Sequence, residues 1–355
     1  MSLEDLRKKI DSIDAEIVRL IADRIKIARE IGGEKRSQGR QVNDQAREKR
    51  VLSHITGLAQ IENIDQEAIE NIYQQIITVC RRTQGTEVAF PGEAGSYSEE
   101  AALQFFGPLV ITQPYESLDA VFKVVEQDTV QFGIIPVENS LEGSISQSYD
   151  LLLDSSLKVC GEIELRVVHC LIANPGARLD LIKRVYSHPQ ALGQCKTFLK
   201  HLDCELIPTY DTAGSVKMIK EKGITDGGAI ASARAAEIYE MKVIAREIED
   251  NPNNFTRFFI LSREDSQPSG NDKTSIVFSV KEKPRALYEF LRQFAERGIN
   301  LSKIESRPTR HKPWEYNLYL DFDGHREDSV AKEALNSLEP YSLFLKILGS
   351  YPKAK

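Results

Sequence analysis

The run Asn251 to Leu261, NPNNFTRFFIL, sets a hydroxyl, Thr256, beside a guanidinium, Arg257, in otherwise apolar and β-prone surroundings. Pro252 and three asparagines punctuate the turn before it, and Phe255, Phe258 and Phe259 supply aromatic walls. A hydroxyl next to a fixed cation, with water excluded, can bind a carboxylate and hydrogen-bond a departing oxygen. An ordinary core strand with a surface arginine has the same local composition, so the rest of the chain must decide.

A second set of chemistry-bearing residues interrupts an apolar pattern. Leu6, Ile10, Ile13, Ile17, Leu20, Ile27 and Ile31 recur at steps of three and four, the seam of a long amphipathic helix. The same steps lead from Leu20 to Arg24 and from Ile31 to Lys35. On a second helix from about Asp44, Arg47 and Glu48 lie one turn before Val51 and Leu52. On a third from about Asp65, Ile69, Ile72, Tyr73, Ile76 and Cys80 share a face, with Gln84 one turn further on. An unpaired charge on a buried face is costly. One such cation would read as an intersubunit salt bridge or a snorkelling side chain. Arg24, Lys35, Arg47, Glu48 and Gln84 converging from three helices suit a small dicarboxylate with a further oxygen to be hydrogen-bonded.

The elements that must position these groups follow from composition and pattern. At 355 residues, 41% hydrophobic and 28% charged, the chain has room for two or three cores. A net charge of -7 provides no global basic field, which argues against nucleic acid and acidic membranes as partners. Five scattered cysteines without a C-x-x-C pair fit thiols in a reducing compartment and imply no metal site. The N-terminus lacks an apolar signal segment and no run of about 18 apolar residues follows, so a cytoplasmic protein is expected. The first helix, Leu3 to about Arg36, would be roughly 50 Å long. A lone domain of about 85 residues has a radius of gyration of about 12 Å. A helix that overruns its own domain needs apolar cover from a second chain, which predicts a homodimer.

After Gly85 the period changes to short strands alternating with helices. Strand Glu87 to Phe90 runs into the loop PGEAGSYS, a weak anion-binding corner. Strand Gln131 to Val137 ends in Glu138, Asn139 and Ser140, at the carboxyl end where open α/β sheets place ligands. A second lobe begins near Val167 and carries SHPQ around His188 and DTAGS around Thr212 before the chain returns to Thr256. Two crossings between lobes predict a hinged cleft lined by SHPQ, DTAGS, ENS and NFTRFF. His188 is either a general acid there or a residue fixing its own turn beside Pro189. A polar linker from Glu264 precedes a βαββαβ alternation, the ferredoxin-like order.

Three sets of motifs resemble known families. L-R-x-x-I-x-x-I-D at Leu6 to Asp14, A-D-R ending at Arg24, Lys35, D-x-x-R-E at Asp44 to Glu48 and Gln84 resemble the all-helical chorismate mutases. That likeness implies Arg7 lent by the partner chain, Arg24 and Arg47 as carboxylate clamps, and Lys35 with Gln84 as donors to the ether oxygen. It also implies Glu48 and the Asp44 backbone on the ring hydroxyl, with Cys80 where the family often has serine. GSYSEEAA, ENS, SHPQ, DTAGS and the ungapped T-R-F at Thr256 to Phe258 resemble prephenate dehydratase, whose fold is a pair of α/β lobes like type II periplasmic binding proteins. By that likeness Thr256 is the catalytic hydroxyl, and Glu138, Asn139, Ser140, His188, Thr212, Arg257 and Phe258 hold prephenate. GINLSKIESRP at Gly298 to Pro308 resembles the ACT domain that follows these enzymes, which implies phenylalanine bound near Gly298, Asn300, Leu301, Glu305, Ser306 and Arg307.

The expected organisation is a helical mutase domain over 1–85, a dehydratase domain over 86–265 and an ACT domain over 272–355. The expected activity is bifunctional: chorismate to prephenate, then prephenate to phenylpyruvate, with inhibition by phenylalanine and no cofactor. Both steps fit that expectation, because a unimolecular rearrangement and an aromatising elimination need positioned charge and hydrogen-bond donors. A non-catalytic amino-acid sensor is the reading from another class, although polar groups inside the helical bundle would have no use in one. Arogenate dehydratase is the related enzyme with the same architecture. Pairing of two dimers into a tetramer is left open.

Overall fold

The computed structural model describes residues 2–37, 45–62, 64–83, 86–108, 110–309 and 314–354. They fall into two compact units, Met1–Glu87 with Phe106–Ile111, and Val88–Phe105 with Thr112–Lys355.

The first unit is helical: α1 (Leu3–Ser37), α2 (Gln45–Ile61) and α3 (Gln66–Thr83). Helix α3 packs against both α1 and α2. Its apolar face covers little of α1, where Leu6, Ile10, Ile13, Ile17, Leu20, Ile27 and Ile31 are all exposed. The expected helix is present with its seam uncovered within one chain.

The second unit contains two lobes and a C-terminal layer. The first lobe is built from β1 (Glu87–Pro91), α4 (Tyr97–Phe106), β2 (Ile111–Tyr115), α5 (Leu118–Glu126), β3 (Phe132–Asn139), β4 (Gly143–Ser144), α6 (Ser146–Asp154) and β5 (Lys158–Arg166). The second holds β6 (Cys170–Ala173), β7 (Arg184–Ser187), α7 (Pro189–Gln194), α8 (Lys196–Leu199), β8 (Glu205–Pro208), α9 (Thr212–Glu221), β9 (Gly227–Ala231), α10 (Ala233–Ile238) and β10 (Lys242–Ala245). The chain then returns to the first lobe as β11 (Phe255–Ser262), so its sheet order is β2-β1-β3-β11-β5, with β4 on β3. The second sheet runs β10-β6-β9-β7-β8. The strand carrying Thr256 is thus inserted antiparallel between β3 and β5, after the whole second lobe has been made.

The last layer comprises β12 (Asp272–Val280), α11 (Ala286–Ala295), β13 (Leu301–Pro308), β14 (Tyr316–Asp323), α12 (Ser329–Ser337) and β15 (Ser342–Pro352), with sheet order β13-β14-β12-β15. This is the ferredoxin-like arrangement expected from the alternation. One face of its sheet buries Ile276, Phe278, Leu320 and Phe322 with Phe290 and Phe294 of α11. The other face adds Val277, Tyr319, Leu348 and Tyr351 to a core that also holds Val137, Phe259 and Leu261 of the first lobe. That shared core is why these two parts form one compact unit.

Candidate active sites

Thr256 pairs with Asn139 across β11 and β3. Asn139 Nδ2 donates to Thr256 Oγ1 at 3.0 Å and to Asn254 Oδ1 at 2.7 Å, while its Oδ1 accepts from the amides of Leu141 and Glu142. Those two amides fix which way the carboxamide faces. Because Thr256 accepts from Asn139, its own hydrogen stays available to donate, and the accepted bond polarises it. The pair is the terminus of a partly buried chain of polar groups. Asn254 Nδ2 donates to Gln194 Oε1 at 2.9 Å, His169 Nε2 lies 2.9 Å from the same oxygen, and Tyr97 Oη lies 2.9 Å from His169 Nδ1.

This chain passes through the hinge. Residues 167–169 and 246–254 are the two crossings, held together by Val167 N donating to Asn254 O and by His169 N donating to Glu249 Oε2. Tyr97 comes from the first lobe and Gln194 from the second. Burial pushes the His169 pKa below its ordinary value, against the Gln194 hydrogen bond and the nearby Glu249 charge, and so favours the neutral imidazole. Sequence reasoning passed over Asn254, Gln194, His169 and Tyr97. Asn254 was visible as the third asparagine of the opening run, but the others carry no local signal.

The remaining cleft candidates separate. His188 caps α7, its Nδ1 accepting from Gln190 N at 3.3 Å, which is the turn-fixing role. Thr212 is the first residue of α9, whose cap is the neighbouring Asp211, Oδ1 accepting from Gly214 N at 2.7 Å. Burial raises the Asp211 pKa, opposed by the Gly214 amide and by His188. Ser140 Oγ donates to Asn253 O and accepts from Phe255 N, closing the turn into β11. The glycine loop after β1 is no open anion corner: the amide of Gly95 is bound by the chain's own Glu99 at 2.7 Å.

Three expectations need correction. Arg257 is expected to hold prephenate beside Thr256, but successive side chains of a strand point to opposite faces. Its guanidinium lies over Phe259, two residues on, and is bound by Glu162 and by Asp321 of the C-terminal sheet. Glu138 turns the same way, to Lys303 at 2.8 Å. Phe258 shares the face of Thr256 but is 1% exposed, so it packs in the lobe interior.

In the helical unit, Arg24 Nη1 donates to Cys80 Sγ, which unites two of the expected residues from α1 and α3. Arg7 and Arg47 are exposed on α1 and α2. Lys35 and Glu48 fall on those helices with side chains outside the described residues, and Asp44 and Gln84 lie outside them altogether.

In the C-terminal layer, Gly298 and Asn300 line a cavity of about 250 Å³ with Asp323, Gly324 and Asp328. Leu301 is half-buried against the helix-side core. Further along β13 the faces alternate. Glu305 and Arg307 turn to the first lobe, where Glu305 meets Ser144 and Arg307 donates to Ser146 Oγ at 3.0 Å, while Ser306 is exposed on the opposite face. The structure therefore does not gather all six expected effector residues around one cavity.

A two-lobed α/β domain with a hydroxyl beside its hinge, a helical unit in which half-buried Arg24 meets Cys80, and a ferredoxin-like layer together mark a multidomain enzyme of small molecules. The profile of chorismate mutase type II matches residues 6–85, that of prephenate dehydratase residues 88–266, and that of the ACT domain residues 274–340. The bifunctional chorismate mutase/prephenate dehydratase of Aquifex aeolicus is 39% identical, over 99% of this chain and 98% of its own. An arogenate dehydratase/prephenate dehydratase of Arabidopsis thaliana is 44% identical, over 75% of this chain and 72% of its own. A prephenate dehydratase from Arthrobacter aurescens, solved in complex with L-Phe, superposes with a TM-score of 0.69 at 32% identity, covering 75% of this chain and 90% of that one. The chain belongs to the bifunctional chorismate mutase/prephenate dehydratase family, an isomerase and a lyase in one polypeptide with an ACT domain behind them.

Proposed function

We propose that the helical unit rearranges chorismate to prephenate and that the two-lobed cleft converts prephenate to phenylpyruvate, with phenylalanine acting on the ACT domain as feedback inhibitor. The observation that carries the second activity is the Thr256 hydroxyl, accepting from Asn139 and left able to donate. In prephenate the electrons of the breaking bond to carbon dioxide enter the ring and expel hydroxide from the opposite carbon. Thr256 donates a hydrogen bond to that leaving oxygen, which departs as water once a proton reaches it, and aromatisation drives the step. Asn139 positions Thr256. His188 and Thr212 hold the substrate from the second lobe, and Arg257 takes no part in binding it.

In the helical unit Arg24 and Arg47 clamp the two carboxylates of chorismate, and Lys35 with Gln84 stabilises charge on the breaking ether oxygen. Arg7 comes from a second chain, because the exposed seam of α1 asks for a copy of itself. The protein acts as a homodimer in the cytoplasm, divided at 85/86 and in the linker before 272. The cavity at Gly298 and Asn300 receives the effector.

Feeding the purified chain chorismate, and following prephenate and phenylpyruvate separately with and without phenylalanine, tests the reading. Arg24→Ala should stop the first product, and Thr256→Ala should let prephenate accumulate. Neither product forming would leave a sensor. Turnover of arogenate in preference to prephenate would shift the assignment to the related dehydratase.

A further inference from the structure

The two residues that meet over the cleft, Thr256 and Asn139, each have a chain neighbour that points the other way. Arg257, directly after Thr256, donates from Nη1 to Asp321 Oδ2 at 2.7 Å and from Nη2 to Tyr351 Oη at 3.1 Å, both in the ACT sheet. Its Nε also holds Glu162 Oε2 at 2.8 Å. Glu138, directly before Asn139, accepts from Lys303 Nζ of β13 at 2.8 Å. The ACT side of this contact is itself tied down. Ser275 Oγ donates to Asp321 Oδ1 at 2.5 Å and lies 2.6 Å from Tyr351 Oη, and Lys273 binds the second oxygen of Glu162 at 2.7 Å. The sheets also touch backbone to backbone: a Cβ on Gly349 would run into Val159 O of β5, the strand beside β11.

We propose that Arg257 and Glu138 are positioning residues through which the ACT sheet sets the Thr256–Asn139 pair. The period-two alternation of β11 and β3 puts the hydrogen-bonding pair on the cleft face and its two neighbours on the ACT face. A displacement of β14 or β13 therefore pulls on the backbone of both members at once. The charges are held rather than loosely solvated: burial works against the Arg257 charge, and Tyr351, Asp321 and Glu162 outweigh it. Tyr149, 2% exposed and with no partner for its hydroxyl among the described residues, carries Lys303 over its ring at the same contact. The inference rests on the proposed dehydratase activity and its inhibition by phenylalanine, and it names the route by which one reaches the other.

The test uses the full chain and changes only ACT-side groups remote from the cleft face. Asp321→Asn and Lys303→Met should each lower kcat for prephenate about tenfold with KM little changed, and weaken phenylalanine inhibition by about the same factor. Chorismate turnover by the same molecules should stay at the wild-type rate, and Asp321→Glu should recover part of the loss. Lys346→Met removes a different contact of the same interface, the cap on the α6 carbonyls of Leu152, Leu153 and Ser155, and should leave kcat and inhibition unchanged. Should Asp321→Asn yield no folded chain, Tyr351→Phe, which deletes the hydroxyl facing Arg257, takes its place. Wild-type kcat and inhibition in the ACT-side variants would overturn the proposal, as would an equal loss in Lys346→Met. A wild-type chain that makes no phenylpyruvate, or ignores phenylalanine, would overturn the underlying reading and the proposal with it.

Discussion

The smallest unit of the dehydratase chemistry is a direction: which of Thr256 and Asn139 donates. Asn139 Nδ2 faces three acceptors, Asn254 Oδ1, Phe255 O and Thr256 Oγ1, so the Thr256 hydrogen is aimed elsewhere. Asn139→Asp replaces that donor by an acceptor of almost the same shape and turns the Thr256 hydroxyl toward the new carboxylate. Prephenate turnover should fall by about a hundredfold or more, the scale of losing one transition-state donor, while chorismate turnover is untouched. His169 gives a pH signature at the same scale. Its pKa in the fold is lowered by burial, so the unfolded chain binds its proton more readily. The stability this confers is complete above the unfolded value of about 6.5 and declines as pH falls below it. Melting temperatures measured downward from neutral pH should drop more steeply in the wild type than in His169→Gln. Equal slopes would show that His169 does not govern the decline. The T-R-F motif is legible as a hydroxyl beside a cation, yet the expectation puts its arginine on the wrong face. The strand period that corrects it was already present in the alternation of Thr256, Arg257, Phe258 and Phe259.

At the level of elements, local periodicity was readable and long-range pairing was not. The three- and four-residue steps along α1 announced both a helix and its unsatisfied side, because each contact they encode lies within one turn. By contrast, the sequence neighbours of β11 do not say that it enters between β3 and β5. That register joins residues about ninety or more positions apart, and with it the contact between Thr256 and Asn139. The uncovered seam carries its own prediction. Ile13→Glu with Ile17→Glu places two carboxylates on the exposed apolar stripe. Sedimentation should show a shift toward monomer, and chorismate turnover should fall at least tenfold if Arg7 must come from a second chain. Prephenate turnover should stay within about twofold, since Thr256 and its partners lie in the other compact unit. A variant that stays dimeric with full mutase activity would show that the seam serves some other purpose.

For the molecule as a whole, the informative fact is that the two-lobed region and the ACT layer share a core. Phe259 of β11 packs edge-on against Tyr351 of β15, and Tyr319 Oη donates to Tyr149 O. Nothing in the linker composition foretold this. A polar stretch with proline and glycine reads as a spacer between independent bodies, whereas the face that joins them is an ordinary alternation of strand residues whose partner is chosen by tertiary contact. A close approach lies at Gly349, where β15 meets the backbone of Val159. Any side chain there must push the ACT sheet off β5, since backbone on one side and a packed core on the other leave no flexible group to yield. Gly349→Val should therefore cost about 1–3 kcal/mol or more of stability, the usual range for overpacking. Calorimetry should resolve separate transitions for the lobes and the ACT layer where the wild type melts them together. If the Arg257 and Glu138 contacts are the route of control, the same variant should also turn prephenate over about tenfold more slowly and respond less to phenylalanine. Intact inhibition in a protein whose two transitions have come apart would show that control does not require the shared core.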